Sequence, residues 1–85
     1  MDVVLHFDKT AARDAAGWQF HGSQSLDLQD DGTLVVRFRA GGIEEITAHL
    51  ATWGDTVRVL EPDVLRAQLA EMGEVLVRSH TLPKR

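Results

Sequence analysis

The stretch of residues 42–65 restricts the fold of this 85-residue chain more than any other. Apolar residues first recur in it at helical spacing, at Ile43, Ile46, Leu50 and Trp53. Gly54 then suits the end of that helix, residues 56–60 predict a short strand, and Pro62 suits the first turn of a second helix. Each part of this stretch has a structural role, and none of it forms an evident catalytic motif.

The chain before this stretch predicts a strand and a short helix. Residues 3–7 alternate between two sets of side chains, and this period of two is typical of a strand. Residues 9–16 contain four alanines and favour a helix, which Asp8 would cap at its start. Gly17 would end that helix in the left-handed conformation.

A hairpin and a final helix complete the pattern of elements. Residues 25–29 alternate polar side chains with leucine, which indicates a half-buried strand, and residues 33–39 form the clearest strand of the chain. The Asp-Asp-Gly turn at residues 30–32 joins them, because glycine accepts the positive φ that such a turn needs. Residues 62–79 predict a helix with one apolar stripe: Val64, Leu65, Leu69, Met72 and Leu76.

This order of elements predicts an α+β fold of the ferredoxin-like type. A βαββαβ arrangement forms a four-stranded antiparallel sheet with two helices on one face, here followed by a C-terminal helix. We expect one such domain over residues 1–80 and a flexible tail over residues 81–85. Trp53 is expected to fill the core between helix and sheet.

Composition and charge exclude several classes of protein. The chain has no cysteine, which excludes disulfides, thiolate metal sites and a cysteine nucleophile. Its net charge of −4 argues against a domain that coats nucleic acid with its whole surface. Because the chain has no long apolar run and no basic leader followed by one, we expect neither a membrane span nor a signal peptide, and a cytoplasmic location.

The alternation of the strands gathers basic side chains on the sheet face that points away from the helices. These side chains are His6, Arg37, Arg39 and Arg58. In the 4-1-3-2 strand order of this fold, His6, Arg37 and Arg58 lie on neighbouring strands. Since a guanidinium group presents a fixed fork to oxyanions, this basic patch is a candidate site for a phosphate, a nucleotide or an acidic surface. The alternatives are a solvated face, with Asp27 as a counter-charge, and an intramolecular interface.

Other chemical sites find little support in the residues. The four histidines have no metal-ligand spacing, and Glu45 and His49, four apart on one helix face, indicate a surface hydrogen bond. His21 and Ser23 lack an acid that could complete a triad. The chain has no asparagine, which acylphosphatases of this fold use, and parity places Phe7 in the core rather than on an RNA-binding face. We therefore expect no catalytic residue, no metal ligand, no cofactor and no enzymatic activity.

Several short motifs occur together in one moderately specific combination. In chain order they are Trp18, Ser23-Gln24, Asp31-Gly32, Trp53-Gly54-Asp55, Val57-x-Val59-Leu60-Glu61-Pro62 and Leu65-Arg66. The combination resembles the C-terminal end of WYL-domain transcriptional regulators of bacteria, a module often called WCX, over nearly the whole chain. Within it, Trp53, Gly54, Glu61 and Pro62 form the structural signature.

The resemblance implies a non-catalytic regulatory module of a WYL-type transcription factor. Such a module would sense an effector or mediate dimer contacts, and so control DNA binding by a separate helix-turn-helix domain. This chain contains neither a helix-turn-helix nor a WYL domain, so we expect it to be an excised piece of a longer regulator that does not itself bind an operator. The implied partners are the rest of that regulator, a second copy of the chain, and a nucleotide or nucleic-acid effector. The alternatives are a free-standing ferredoxin-like domain that binds a small anionic ligand and a pure oligomerisation element.

Overall fold

A computed structural model describes residues 1–82, which form one sheet with its helices. The elements are, in order, β1 (Asp2–Phe7), α1 (Ala12–Ala16), β2 (Ser25–Leu28), β3 (Leu34–Arg39), α2 (Ile43–Ala51), a one-turn 3-10 helix (Gly54–Thr56), β4 (Val57–Glu61) and α3 (Asp63–His80). The strands lie in the order β2-β3-β1-β4, and every neighbouring pair is antiparallel. This confirms the predicted α+β fold with a four-stranded antiparallel sheet and a C-terminal helix. Of the expected flexible tail, residues 83–85 lie outside the described residues.

The register of the strands decides which side chains share a face. On one face, Leu5 of β1 lies opposite Val36 of β3 and Val59 of β4, and Phe7 lies opposite Leu34. These side chains are buried, and they form one cluster with residues from all three helices: Ala12, Ala15, Leu50 and Leu65. The core therefore sits between this sheet face and the helices, and the other sheet face is left uncovered by helices.

Helix α1 is shorter than predicted and begins differently. The Asp8 carboxylate accepts hydrogen bonds from the backbone N–H groups of Thr10 (3.0 Å) and Ala11 (3.2 Å). Asp8 therefore organises a turn before α1 and does not cap the helix, which begins only at Ala12. Gly17 has a φ of −84°, so the predicted left-handed conformation is wrong there. The Gly17 N–H donates to the carbonyls of the last turn, so the helix ends without a left-handed residue.

Residues 42–65 differ from their prediction only at the ends of the helices. Helix α2 ends at Ala51, and Gly54, which was predicted to end it, has a left-handed conformation at a φ of +61° and starts the 3-10 turn. Pro62 follows a cis peptide bond and lies one position before α3, in an extended conformation. The residue therefore leads the chain out of β4 into the helix rather than forming its first turn.

Two predicted apolar faces remain exposed. Leu26 and Leu28 of the edge strand β2 point to the helix side, but α1 packs over β3 and leaves both exposed. Along α3, Leu65 is buried and Leu69 contacts the core, whereas Val64 of the predicted stripe is exposed. Residues 73–80 are exposed throughout, because only the first half of α3 contacts the buried core.

Candidate functional site

The open sheet face holds the four residues of the basic patch. His6 of β1 lies directly opposite Arg58 of β4, and Arg37 of β3 lies opposite Val4 of the same β1. Arg39 lies opposite Asp2. Because side chains two residues apart on a strand share a face, all four basic side chains project from this one surface.

Acidic side chains accompany this basic patch closely. Arg39 Nε lies 3.0 Å from Asp2 Oδ1, and Arg37 Nη1 lies 3.8 Å from Asp27 Oδ2. Both ion pairs are exposed, so each contributes only about 0–1 kcal/mol to stability. A shallow groove of about 460 Å³ beside the two arginines is also lined by Glu61. This part of the patch is therefore mixed in charge rather than strongly cationic.

His6 and Arg58 form the other half of the patch. Within residues 1–82 neither of them makes an ion pair with a carboxylate. The pKa of Asp8 lies below its ordinary value. The main cause is the hydrogen bond from the Thr10 hydroxyl, and the charge of His6 lowers this pKa further. The pKa of Asp31 is lowered in the same way, with its own threonine as the main cause. An incoming anion would meet the least paired positive charge at Arg58.

The signature residues lie in the core packing and at the junction of β4 and α3. The Trp53 indole and the Phe7 ring meet in a T-shaped contact, with ring centres 5.1 Å apart at an interplanar angle of 70°. Arg66 donates from Nη2 to the Leu60 carbonyl at 2.7 Å and to Asp63 Oδ1 at 2.9 Å. These contacts tie the end of β4 to the first turn of α3, on either side of Pro62. Glu61 lies opposite Val4 in the register and so extends β4 beside the open face.

A cluster of rings between α1 and α2 is the feature that the sequence patterns did not reveal. Its four residues are Trp18, Phe20, His49 and Trp53, here called the aromatic cluster. Trp18 stacks on His49 with ring centres 5.1 Å apart and 20° between the planes. Trp53 Nε1 donates to His49 Nε2 at 3.3 Å, so the expected bond between Glu45 and His49 is replaced by one to an indole. His49 lies on helix α2 as predicted. Its imidazole points toward Phe20 and Trp53 and contacts both rings.

The residues that the structure describes contain neither a cluster of metal ligands nor a candidate membrane span. Residues 1–82 contain no group of three or more histidine or acidic side chains that could hold a metal ion. Among the same residues, no helix combines the length and the apolar character that a membrane span requires. The candidate sites are accordingly the basic patch, the aromatic cluster and the exposed half of α3.

Sequence comparison with known proteins settles the family. No curated protein matches the chain. The family model of the WCX domain matches residues 1–77, which confirms the resemblance seen in the motifs around Trp53. This family is associated with regulation and is not known as catalytic. The chain therefore belongs to the WCX domain family, which indicates a regulatory domain of WYL-type proteins.

Proposed function

We propose that this WCX domain mediates dimer contacts through the second half of α3, and thereby controls DNA binding by a separate helix-turn-helix domain of its parent regulator. The observation that carries the proposal is the exposure of three consecutive apolar side chains there. Val75, Leu76 and Val77 are 43%, 50% and 66% exposed. Val75 and Leu76 border one groove and Val77 lies on another side of the helix. Exposed apolar side chains that cluster in this way mark interaction sites. We place the whole module, residues 1–80, in the cytoplasm with the DNA that it would regulate.

A groove adjoins these side chains and adds to the apolar surface. It lies between α2 and α3, has a volume of about 340 Å³, and is lined by Thr47, Met72, Val75 and Leu76 among others. The acids Glu44 and Glu71 line it as well. An apolar centre with charged margins is the usual anatomy of a protein interface.

The charges along α3 favour a second copy of the chain as the partner. Glu71 and Glu74 precede the apolar residues, whereas Arg78 and His80 follow them. In an antiparallel pair of α3 helices that cross near Val75, Glu71 of one copy lies opposite Arg78 of the other. A two-fold axis makes this contact twice, as an isologous interface requires. The 18 residues of α3 span about 27 Å, which is long enough for such a crossing.

Analytical ultracentrifugation of the chain tests this proposal. We expect a concentration-dependent dimer, and we expect Leu76→Glu to shift the chain to monomer because a carboxylate would be buried at the crossing. Val64→Glu is the matched control, since Val64 is similarly exposed but lies in the first turn of the same helix. A wild-type chain that stays monomeric at about 1 mM would contradict the proposal.

A second candidate function is the binding of an anionic effector, such as a phosphate, a nucleotide or a nucleic acid, by the basic patch. The pairing of His6 with Arg58 across β1 and β4 favours it, since Arg37 and Arg39 already have acidic neighbours. NMR titration with inorganic phosphate and with a nucleotide should shift the Arg58 signals in the wild type. The shifts of the surrounding strand residues should vanish in Arg58→Ala and persist in Lys9→Ala; equal shifts in both variants would argue for nonspecific attraction.

A further inference from the structure

We infer that the cleft beside the aromatic cluster binds a zwitterionic aromatic ligand, of the class of the aromatic amino acids. The cleft lies between α1 and α2 and has a volume of about 570 Å³. Two indoles and an imidazole line it together with Arg13 and Asp14. The cleft is an open depression whose volume falls in the range of small-molecule sites, and its walls combine the two indoles with the polar side chains of Arg13, Asp14, His49 and Thr52.

Trp18 provides a fixed aromatic surface at this cleft. The residue is 50% exposed, although its backbone is held on both sides. The Trp18 N–H donates to the Ala15 carbonyl at 3.1 Å, and the Trp18 carbonyl accepts from Gln24 Nε2 at 3.0 Å. Gln24 Oε1 in turn accepts from the Phe20 N–H at 2.6 Å. The backbone of Trp18 is thus held, and its half-exposed ring stacks on His49, so it offers a ligand a stacking surface at a low cost in conformational entropy.

His49 supports the Trp18 ring from behind and is itself fixed. The Trp53 indole holds the imidazole from its own side, because Trp53 Nε1 donates a hydrogen bond to His49 Nε2 at 3.3 Å. Among the hydrogen bonds of residues 1–82, none involves His49 Nδ1. The stacked pair of Trp18 and His49 therefore forms one wall of the cleft.

The two charges on α1 define the ligand class. Arg13 and Asp14 are adjacent and opposite in sign, and within the described chain neither side chain forms an ion pair. A ligand carboxylate can pair with the Arg13 guanidinium, and a ligand ammonium can pair with Asp14. A simple anion would be repelled by Asp14, and a simple cation by Arg13. A ligand with an aromatic ring, a carboxylate and an ammonium group can stack on the indole and pair with both charges.

This inference goes beyond the proposed α3 contact and does not depend on it. The cleft is on the helix side of the sheet, whereas the basic patch is on the opposite face. Ligand binding at the cleft and dimerisation through α3 are measured separately, so either can fail without the other.

The test is an NMR titration of the chain with L-tryptophan and L-phenylalanine. The chain contains two tryptophans, so its spectrum holds only two indole N–H signals, those of Trp18 and Trp53. We expect saturable shifts of both signals and of Arg13. Tryptamine, which lacks the carboxylate, and indole-3-propionate, which lacks the ammonium, should each bind about tenfold more weakly. Equal binding of either analogue, or equal shifts with glycine, would overturn the assignment.

Variants on the surface of α1 connect the shifts to the cleft. Arg13→Gln and Asp14→Asn should each weaken binding about tenfold, because each removes one charge-assisted hydrogen bond. Both side chains are exposed and the helix is anchored by its buried alanines, so the fold should persist. Arg37→Gln on the open sheet face is the control and should leave binding unchanged. Unchanged affinity in both α1 variants, or no shift at about 10 mM ligand, would refute the inference.

Discussion

Two aspartates, Asp8 and Asp31, make the same set of local hydrogen bonds, each within a turn. Asp8 Oδ1 accepts hydrogen bonds from the backbone N–H and the hydroxyl of Thr10, and Asp31 Oδ1 accepts the same two bonds from Thr33. Hydrogen bonds to a carboxylate favour its charged form. The threonine hydroxyls are the main reason that the pKa of each aspartate lies below its ordinary value of 3.8.

These lowered pKa values predict an acid-sensitive part of the stability. Because the pKa of each carboxyl is lower in the folded chain, its contribution is present above the ordinary value of 3.8 and is lost as the pH falls through the folded value. Asp8→Asn combined with Asp31→Asn keeps an acceptor oxygen at each position but removes both titrations. Thermal melts should therefore show a flatter fall in Tm below pH 3.8 in the double variant. An unchanged slope would show that other carboxyls govern acid unfolding.

Trp53 predicts a graded series of stabilities. Replacing a large buried ring by alanine costs about 3–5 kcal/mol, and Trp53 is only partly buried, so Trp53→Ala should cost about 2–4 kcal/mol. Trp53→Phe keeps the ring contact with Phe7 and loses the bond to His49, and it should cost only about 1 kcal/mol. Urea unfolding measures both values. Equal losses in the two variants would show that the hydrogen bond, and not the packing, fixes this residue.

At the scale of single elements, the strands follow from the sequence better than the helices do. The alternation at residues 3–7 and 33–39 depends only on strand geometry. The register places Val3, Leu5 and Phe7 of β1 opposite Phe38, Val36 and Leu34 of β3 on the core face. The predicted α1 is too long because helix propensity does not account for Asp8. The hydrogen bonds that Asp8 accepts hold the residues after it in a turn. The exposure of β2 depends on how far α1 extends over the sheet. The residues of β2 alone give no information about that length.

Two glycines predict opposite effects of one substitution. Gly73 lies inside α3, and no atom lies within 4 Å of the position that a Cβ would take there, so Gly73→Ala should stabilise the chain by about 0.5–1 kcal/mol. Gly54 has equally open surroundings but a φ of +61°, so Gly54→Ala should destabilise it by about 1 kcal/mol. Denaturant midpoints of the two variants measure the difference. A loss of stability in Gly73→Ala would indicate that its backbone is needed in a contact outside the single chain.

At the scale of the whole molecule, the candidate sites were predictable to different degrees. Strand parity and strand order were enough to place His6, Arg37 and Arg58 on one face. The pairing of Arg39 with Asp2 was not, because it depends on the register of β1 against β3. The aromatic cluster could not be read from spacing at all, since a loop and a helix far apart in sequence bring Trp18 and His49 together.

The proposed dimer makes a prediction that only two whole molecules can satisfy. If α3 pairs with an antiparallel copy of itself, Glu71→Arg places like charges opposite Arg78 at two symmetric positions. Exposed ion pairs contribute about 0.2–1 kcal/mol each, so the dissociation constant should rise about tenfold. Arg78→Glu added to Glu71→Arg reverses both charges and should restore the affinity, whereas Arg58→Glu added to Glu71→Arg should not. Sedimentation of the three variants at equal ionic strength measures this, and a double reversal that stays monomeric would place the interface on another surface.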